Sequence, residues 1–279
     1  MGMSIMSSVA EKPSVRWPFR ASDSFSGVRD TYRMPLIHSL PGVLFWPIFL
    51  FVLAYIGQLI AALIWQSSGG DASGINISTA IFLGAAGGYA ALALFMWIDF
   101  QRLDAHRYAF SIFPLKISDF GAALLVMVFT LMIGSPLTQL VYESAMTNPE
   151  LTISGGVTRE EISNVDDFIQ AGATTWAIIL LTVIAAPLVE EILFRGWMLP
   201  MLMARGVPTI FAIIITSIGF ALIHISQSLF VVIATFFLAL ALGTARVMTG
   251  RIAAPVLGHM ANNAWALFAV PALLEMQAG

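Results

Sequence analysis

The sequence predicts an all-α membrane protein, a polytopic bundle of about seven transmembrane helices. Three observations indicate this fold class. The 279 residues are 58% hydrophobic and 10% charged, with a mean hydropathy of +0.87, whereas a soluble domain carries about 25% charged residues. Apolar runs of roughly 18 residues or more, long enough to cross a bilayer, recur along the chain. Positive charges alternate between the loops, as they do in multi-pass membrane proteins.

Seven apolar runs are predicted to form the membrane helices. In chain order they cover residues 43–65, 78–98, 121–142, 174–194 with a helical extension to about 204, 208–226, 229–248 and 253–274. The chain is accordingly divided into a cytoplasmic N-terminal segment (1–42), a three-helix membrane region (43–142), an external acidic loop (143–173) and a four-helix membrane core (174–275).

The positive charges predict the orientation of these helices. Of the 13 Lys and Arg residues, eleven fall in segments that alternating helices place on one face, one falls on the other face, and Arg195 lies inside helix four. Because cytoplasmic loops carry the excess of Lys and Arg, we expect the N-terminus in the cytoplasm and the C-terminus outside. The expected location is the cell membrane, with the lipid bilayer as the first partner.

The composition also excludes several classes of protein. A net charge of −3 without a long basic run excludes a nucleic-acid binder. The chain contains no Cys, which excludes disulfides, cysteine-ligated zinc and thiol catalysis. The oligomeric state stays open at this point.

Helix four carries three ionisable residues inside an apolar run. Each ionised group at bilayer depth costs about 2.5–3.5 kcal/mol on insertion scales, so such residues are expected to be functional. Glu191 and Arg195 are four residues apart and share a helix face, so they can neutralise each other as a purely structural pair. Glu190 points about 100° away and has no local partner, which favours a functional role for the acids. Pro187 removes a helix hydrogen bond one turn before them.

Two histidines and an asparagine lie in the helices that follow. His224 is near the end of helix five, while His259 and Asn263 are one turn apart on helix seven. Each of them alone fits packing or interhelical hydrogen bonding equally well. Together with Glu190 and Glu191 they can do chemistry, because a carboxylate activates water while His and Asn stabilise an oxyanion. Two His and a carboxylate also make the open zinc site of hydrolases, so a metal mechanism stays open.

The order of these motifs resembles the CAAX protease and bacteriocin-processing family, the intramembrane proteases related to type II CAAX prenyl endopeptidase. The family pattern is Glu-Glu-x-x-x-Arg, then Phe-x-x-x-His, then His-x-x-x-Asn, on separate membrane helices. This chain matches the pattern, within residues 170–270, at Glu190, Glu191, Arg195, Phe220, His224, His259 and Asn263. The first three helices carry no motif of the family.

The resemblance implies an intramembrane endopeptidase that hydrolyses membrane-associated peptides or proteins. Carried over by position, Glu190 would activate the water, and Glu191 and Arg195 would support it. His224, His259 and Asn263 would complete the site.

The resemblance leaves the mechanism open between a glutamate-type protease and a metalloprotease. A divalent metal, zinc above all, is expected, and its ligands would be Glu190, His224, His259 and Asn263. We also expect the site to open to the cytoplasmic side at modest depth, with the turn at residues 224–228 level with the glutamates.

Two other functions stay open from the residues alone. Glu and His inside a membrane form the proton relays of transporters, although the chain has no inverted repeat and no matching pair of broken helices. A non-catalytic scaffold or bacteriocin-immunity factor would keep the family fold without using the acids for chemistry.

Overall fold

The computed structural model describes residues 40–70, 77–102, 111–146, 176, 179–204, 206–225 and 228–269, and all the secondary structure in these ranges is helical. The all-α prediction is therefore confirmed for this part of the chain. Most of the predicted N-terminal segment, most of the external loop 143–173, and residues 270–279 lie outside the described residues.

The helices lie where the apolar runs predict them. The first three runs correspond to α1 (Leu40–Ser67), α2 (Ile77–Arg102), and α3 (Ile117–Phe129), which continues through π-helical Thr130–Gly134 into α4 (Ser135–Met146). The fourth run is continuous over residues 180–204 and consists of π-helical Leu180–Ala185, α5 (Ala186–Glu191), π-helical Ile192–Met198 and α6 (Leu199–Ala204). The last three are α7 (Thr209–Leu222), α8 (Leu229–Thr249) and α9 (Ala253–Ala264), followed by π-helical Trp265–Ala269. Residues 180–204 are called the glutamate helix below.

The outer surface of the bundle suits a bilayer. Among the described residues, Ile117–Ser144 and Leu229–Thr249 are long and apolar enough, by length and composition, to cross a membrane, and shorter apolar stretches occur in α1, α2 and α7. Large apolar side chains such as Leu63, Leu124 and Ile225 are exposed, as expected where lipid takes the place of water. The count of seven spans stays a prediction.

The N-terminal hairpin, defined as α1 and α2, is held together by close approach of its backbones. Gly84 and Gly88, one turn apart on α2, face Gly57 and Ala54 of α1. A β-carbon added at Gly88 would lie 2.6 Å from the Ala54 backbone, too close for any side chain. Small residues at this spacing let membrane helices pack backbone to backbone.

The glutamate helix occupies the centre of the bundle. Its Leu193 and Trp197 are completely buried, in one cluster with Leu92 and Met96 of α2. On the other side α9 packs against α3, where a β-carbon added at Gly258 would lie 3.1 Å from the side chain of Val126. The acids are thus enclosed by the hairpin on one side and by α7, α8 and α9 on the others.

Candidate active site

The backbone just before the two glutamates is π-helical, with hydrogen bonds from residue i to residue i−5. In this register the N–H of Ala186 donates to the carbonyl of Leu181, and the next N–H would donate to Thr182. That residue is Pro187, which has no N–H. The side-chain nitrogen Nδ2 of Asn263 donates to the Thr182 carbonyl instead, at 2.9 Å. Asn263 therefore ties α9 to the turn that precedes the acids.

Glu191 is the centre of a buried ion-pair network. Its Oε1 accepts a hydrogen bond from Nη1 of Arg195 at 2.8 Å and lies 3.1 Å from Nδ1 of His259. Because a carboxylate oxygen only accepts, we assign the hydrogen of this second bond to Nδ1 of His259. All three residues are at most 2% exposed, so these bonds fix the orientation of the imidazole in a low-dielectric interior.

Arg195 connects three elements of the bundle. Its Nη2 donates to the carbonyl of Ala239 on α8 at 2.9 Å, and its guanidinium carbon lies 4.7 Å from the ring centroid of Phe220 on α7, which is cation–π range. Its own carbonyl accepts from Nε of Arg246 at 3.1 Å. Arg246 on α8 is itself completely buried against the glutamate helix.

Glu190 finds its partners on other helices, as its lack of a local partner predicts. Its Oε1 accepts from the hydroxyl of Tyr89 on α2 at 2.7 Å. Its Oε2 lies 3.8 Å from Nε2 of His259, which is too long for a direct hydrogen bond and is a separation that a bridging water can serve. Glu190 and Glu191 therefore face the two different nitrogens of one imidazole.

Phe220 brings His224 to the same place. The helix α7 ends at Leu222, so His224 lies in the turn that follows, and its Nδ1 is 3.0 Å from the carbonyl of Phe220. The Phe220 ring centroid lies 5.1 Å from His224 and 5.3 Å from His259. The centroids of the two imidazoles are thus no farther apart than the sum of these distances, and both rings lie next to Phe220.

The predicted metal ligands are only partly gathered. The described residues contain no group of three or more His, Asp or Glu side chains placed to hold a metal ion. Glu190 and His259 face each other, His224 bonds to its own helix through Nδ1, and the amide of Asn263 bonds to backbone. Since these side chains do not form a ligand cluster as they stand, zinc stays a prediction.

The structure brings together some of the motif residues and leaves others apart. Direct contacts join Glu191 to Arg195 and His259, and Glu190 faces His259. Asn263 does reach the glutamate helix, but the contact that the structure gives it is to backbone.

Tyr89 was not identified from the sequence, although one signal pointed to it. Between residues 80 and 96 it is the only side chain able to donate a hydrogen bond, in an otherwise apolar run. A phenol in such a position needs a partner when it is buried. The sequence cannot name that partner, because Glu190 lies 101 residues away.

One comparison with known proteins bears on this site. Residues 172–265, about a third of the chain, match the family model described as Type II CAAX prenyl endopeptidase Rce1-like. Searches among curated proteins and among solved structures found no match. The matched stretch contains every motif residue from Glu190 to Asn263, whereas Tyr89 lies outside it. The resemblance seen in the motifs is thereby confirmed: residues 172–265 are similar to the type II CAAX prenyl endopeptidases.

Proposed function

We propose that this protein is an intramembrane endopeptidase that hydrolyses peptide bonds of membrane-associated peptides or proteins with a water activated by Glu190. The observation that carries this proposal is the placement of Oε2 of Glu190 3.8 Å from Nε2 of His259. The base, Glu190, and the imidazole of His259 face each other inside an apolar bundle. One water placed between them can form hydrogen bonds to both.

The chemistry follows from the roles these groups can take. Oε2 of Glu190 removes a proton from the water while the water oxygen forms a bond to the carbonyl carbon of the peptide. The carbonyl double bond becomes an oxyanion. When this oxyanion collapses, the C–N bond breaks, and the proton held by Glu190 passes to the leaving amine nitrogen.

His259 is placed to hold the water beside Glu190. Nδ1 of His259 is held by Oε1 of Glu191 at 3.1 Å, so the ring presents Nε2 toward Glu190 in a fixed direction. His224 flanks the same Phe220 ring. An imidazole with its hydrogen on Nδ1 accepts at Nε2, so His259 can accept one hydrogen of the water while Oε2 of Glu190 takes the other. Arg195 acts indirectly, because its ion pair holds Glu191, which in turn orients His259.

The expected substrate is a peptide or protein that reaches the bundle from the membrane. The buried acids are enclosed by apolar helices, so a substrate held in lipid approaches them without crossing water. The charge distribution favours a site entered from the cytoplasmic side, with an N-terminus in the cytoplasm and a C-terminus outside.

The experiment that tests the proposal compares membrane peptides from cells that make the wild-type chain and cells that make Glu190→Gln. Glutamine keeps the shape of the side chain and can still accept a bond from Tyr89, but it cannot take a proton. We expect loss of a general base to slow cleavage by about 10²–10⁴-fold, so intact substrates accumulate in the variant. Glu143→Gln, which changes an exposed acid on α4, is the matched control.

Identical peptide profiles for wild type and Glu190→Gln, with both chains inserted at equal levels, would contradict the proposal. That result would favour a non-catalytic scaffold or immunity factor, whereas proton-linked flux in vesicles would favour a transporter. Assay of the purified wild-type chain with and without a chelator tests the metal prediction separately.

A further inference from the structure

We propose that Tyr89 is a positioning residue of this active site, contributed by the N-terminal hairpin, whose hydroxyl holds Oε1 of Glu190 so that Oε2 faces His259 and the water. The inference rests on the proposed function of Glu190. It extends the site to a helix that carries no family motif and lies outside residues 172–265.

The geometry of the carboxylate is the first support. The hydroxyl of Tyr89 donates to Oε1 at 2.7 Å, which is the short distance typical of a hydroxyl bonded to a charged acceptor. The terminal torsion of a glutamate is broad, so the carboxylate can turn unless one oxygen is held. The bond to Oε1 removes that freedom and leaves Oε2 as the oxygen that faces His259.

The chemistry of the bond is the second support. A phenol oxygen that donates its hydrogen needs an acceptor, and the ionised carboxylate is acceptor-only. The ionised form is the form that takes a proton from water. The bond from Tyr89 is therefore compatible with the form of Glu190 that acts as the base.

The packing of the hairpin explains how Tyr89 reaches its position. Leu92 and Met96 lie three and seven residues beyond Tyr89, on the same face of α2, and both are completely buried in a cluster with the glutamate helix. Gly88, the residue before Tyr89, presses on the backbone of α1. The part of α2 that carries Tyr89 is thus packed against the glutamate helix on one side and against α1 on the other.

Tyr89→Phe tests the inference by removing only the hydroxyl. We expect kcat to fall roughly ten- to hundredfold, the factor for a hydrogen bond to a charged group, with KM changed less than about twofold, since the bond is to the base and not to the substrate. The probe is an internally quenched peptide spanning a cleavage site found in the Glu190→Gln comparison. Tyr55→Phe is the matched control, because Tyr55 lies on α1 and is 62% exposed; it should leave both constants unchanged.

A cycle with Glu190→Asp separates positioning from general damage. The shorter aspartate withdraws the carboxylate from the hydroxyl, so adding Tyr89→Phe to Glu190→Asp should cost less than about twofold in kcat. A merely structural role for Tyr89 predicts the same fold loss in both backgrounds. That result, or a Tyr89→Phe enzyme with wild-type kcat, would overturn the inference.

A second replacement covers the case in which Tyr89→Phe fails to fold. Difluorotyrosine at position 89 keeps the ring and the hydroxyl but donates its hydrogen more strongly. If the hydroxyl positions Glu190, kcat should then differ from the wild-type value by more than about twofold while KM stays unchanged, and an unchanged kcat would refute the role of Tyr89. If Glu190→Gln itself cleaves like wild type, the proposed function fails; if only the Tyr89 variants behave like wild type, only this inference fails.

Discussion

The motif region, residues 180–269, and the N-terminal hairpin build the same site in opposite ways. The motif region supplies the ionisable groups, and its Glu191, Arg195 and His259 satisfy one another in a buried network. The hairpin supplies one hydroxyl, that of Tyr89, on a face that is otherwise apolar and closely packed. The first region brings reactive groups together, and the second closes the space around them and orients one of them.

This difference shows why half of the site has a recognisable pattern and the other half does not. A charge inside an apolar helix is costly, so residues such as Glu190 stand out in the sequence. A wall that excludes water needs only shape, and many apolar sequences can supply that shape. The hairpin is therefore expected to act through packing, and the motif region through charge.

The largest expected effect comes from breaking the charge network of the motif region. Arg195→Met removes the partner of Glu191 and leaves a buried charge with one bond from His259. We expect a loss of about 3–5 kcal/mol in the free energy of unfolding, because an uncompensated buried charge is far more costly than a missing pair. Unfolding in a denaturing-detergent titration measures the loss.

The double variant Glu191→Leu with Arg195→Met gives the matched control. Removal of both charges should recover most of the lost stability, while cleavage stays lost because Nδ1 of His259 no longer has its acceptor. If Arg195→Met were as stable as the wild type, the network would not be what holds the motif region together.

The sequence predicted the charged part of the site because its chemistry depends on local spacing. Glu191 and Arg195 form the expected pair four residues apart, and Glu190 lacks a local partner as expected. The positions of the helices were predicted for the same reason, since hydrophobic runs are a local property. The contact between Tyr89 and Glu190 depends instead on how two distant helices pack, and no local pattern encodes that.

A smaller effect is expected from opening the hairpin. A β-carbon at Gly88 would lie 2.6 Å from the Ala54 backbone, whereas one at the neighbouring Gly87 would meet nothing within 4 Å. Gly88→Ala should therefore cost about 1–3 kcal/mol of stability as the helices move apart. Cleavage should fall as well, because Tyr89 is the next residue and moves with the backbone.

Gly87→Ala is a control of the same chemistry on the same helix. It should leave cleavage unchanged and stabilise the chain by up to about 1 kcal/mol, since alanine is the better helix former. Cleavage and unfolding measured on both variants decide the point. Equal losses for Gly87→Ala and Gly88→Ala would mean that the hairpin acts through helix propensity and not through close packing.

Asn263 shows where a motif residue behaves like a packing residue. The resemblance placed it in the catalytic set, and the structure bonds its Nδ2 to the carbonyl of Thr182. The need for this bond arises from the π-helical register in front of Pro187. Pro187 is visible in the sequence, but no local pattern predicts the π-helical turn before it. The partner of Asn263 could therefore not be predicted.

The smallest expected effect tests that bond directly. Asn263→Ala should cost about 0.5–1.5 kcal/mol in the free energy of unfolding, the usual net contribution of a hydrogen bond, because this bond is only partly buried. In a Pro187→Ala background the restored backbone N–H can serve the Thr182 carbonyl, so the same change should cost less than about 0.5 kcal/mol. Asn262→Ala, about 100° around the helix, is the control and should be neutral in both backgrounds. If Asn263→Ala costs as much stability in the Pro187→Ala background as in the wild type, the bond to the Thr182 carbonyl is not the main role of Asn263. Asn263 would then act on the reacting groups, as Glu190 and His259 are proposed to do.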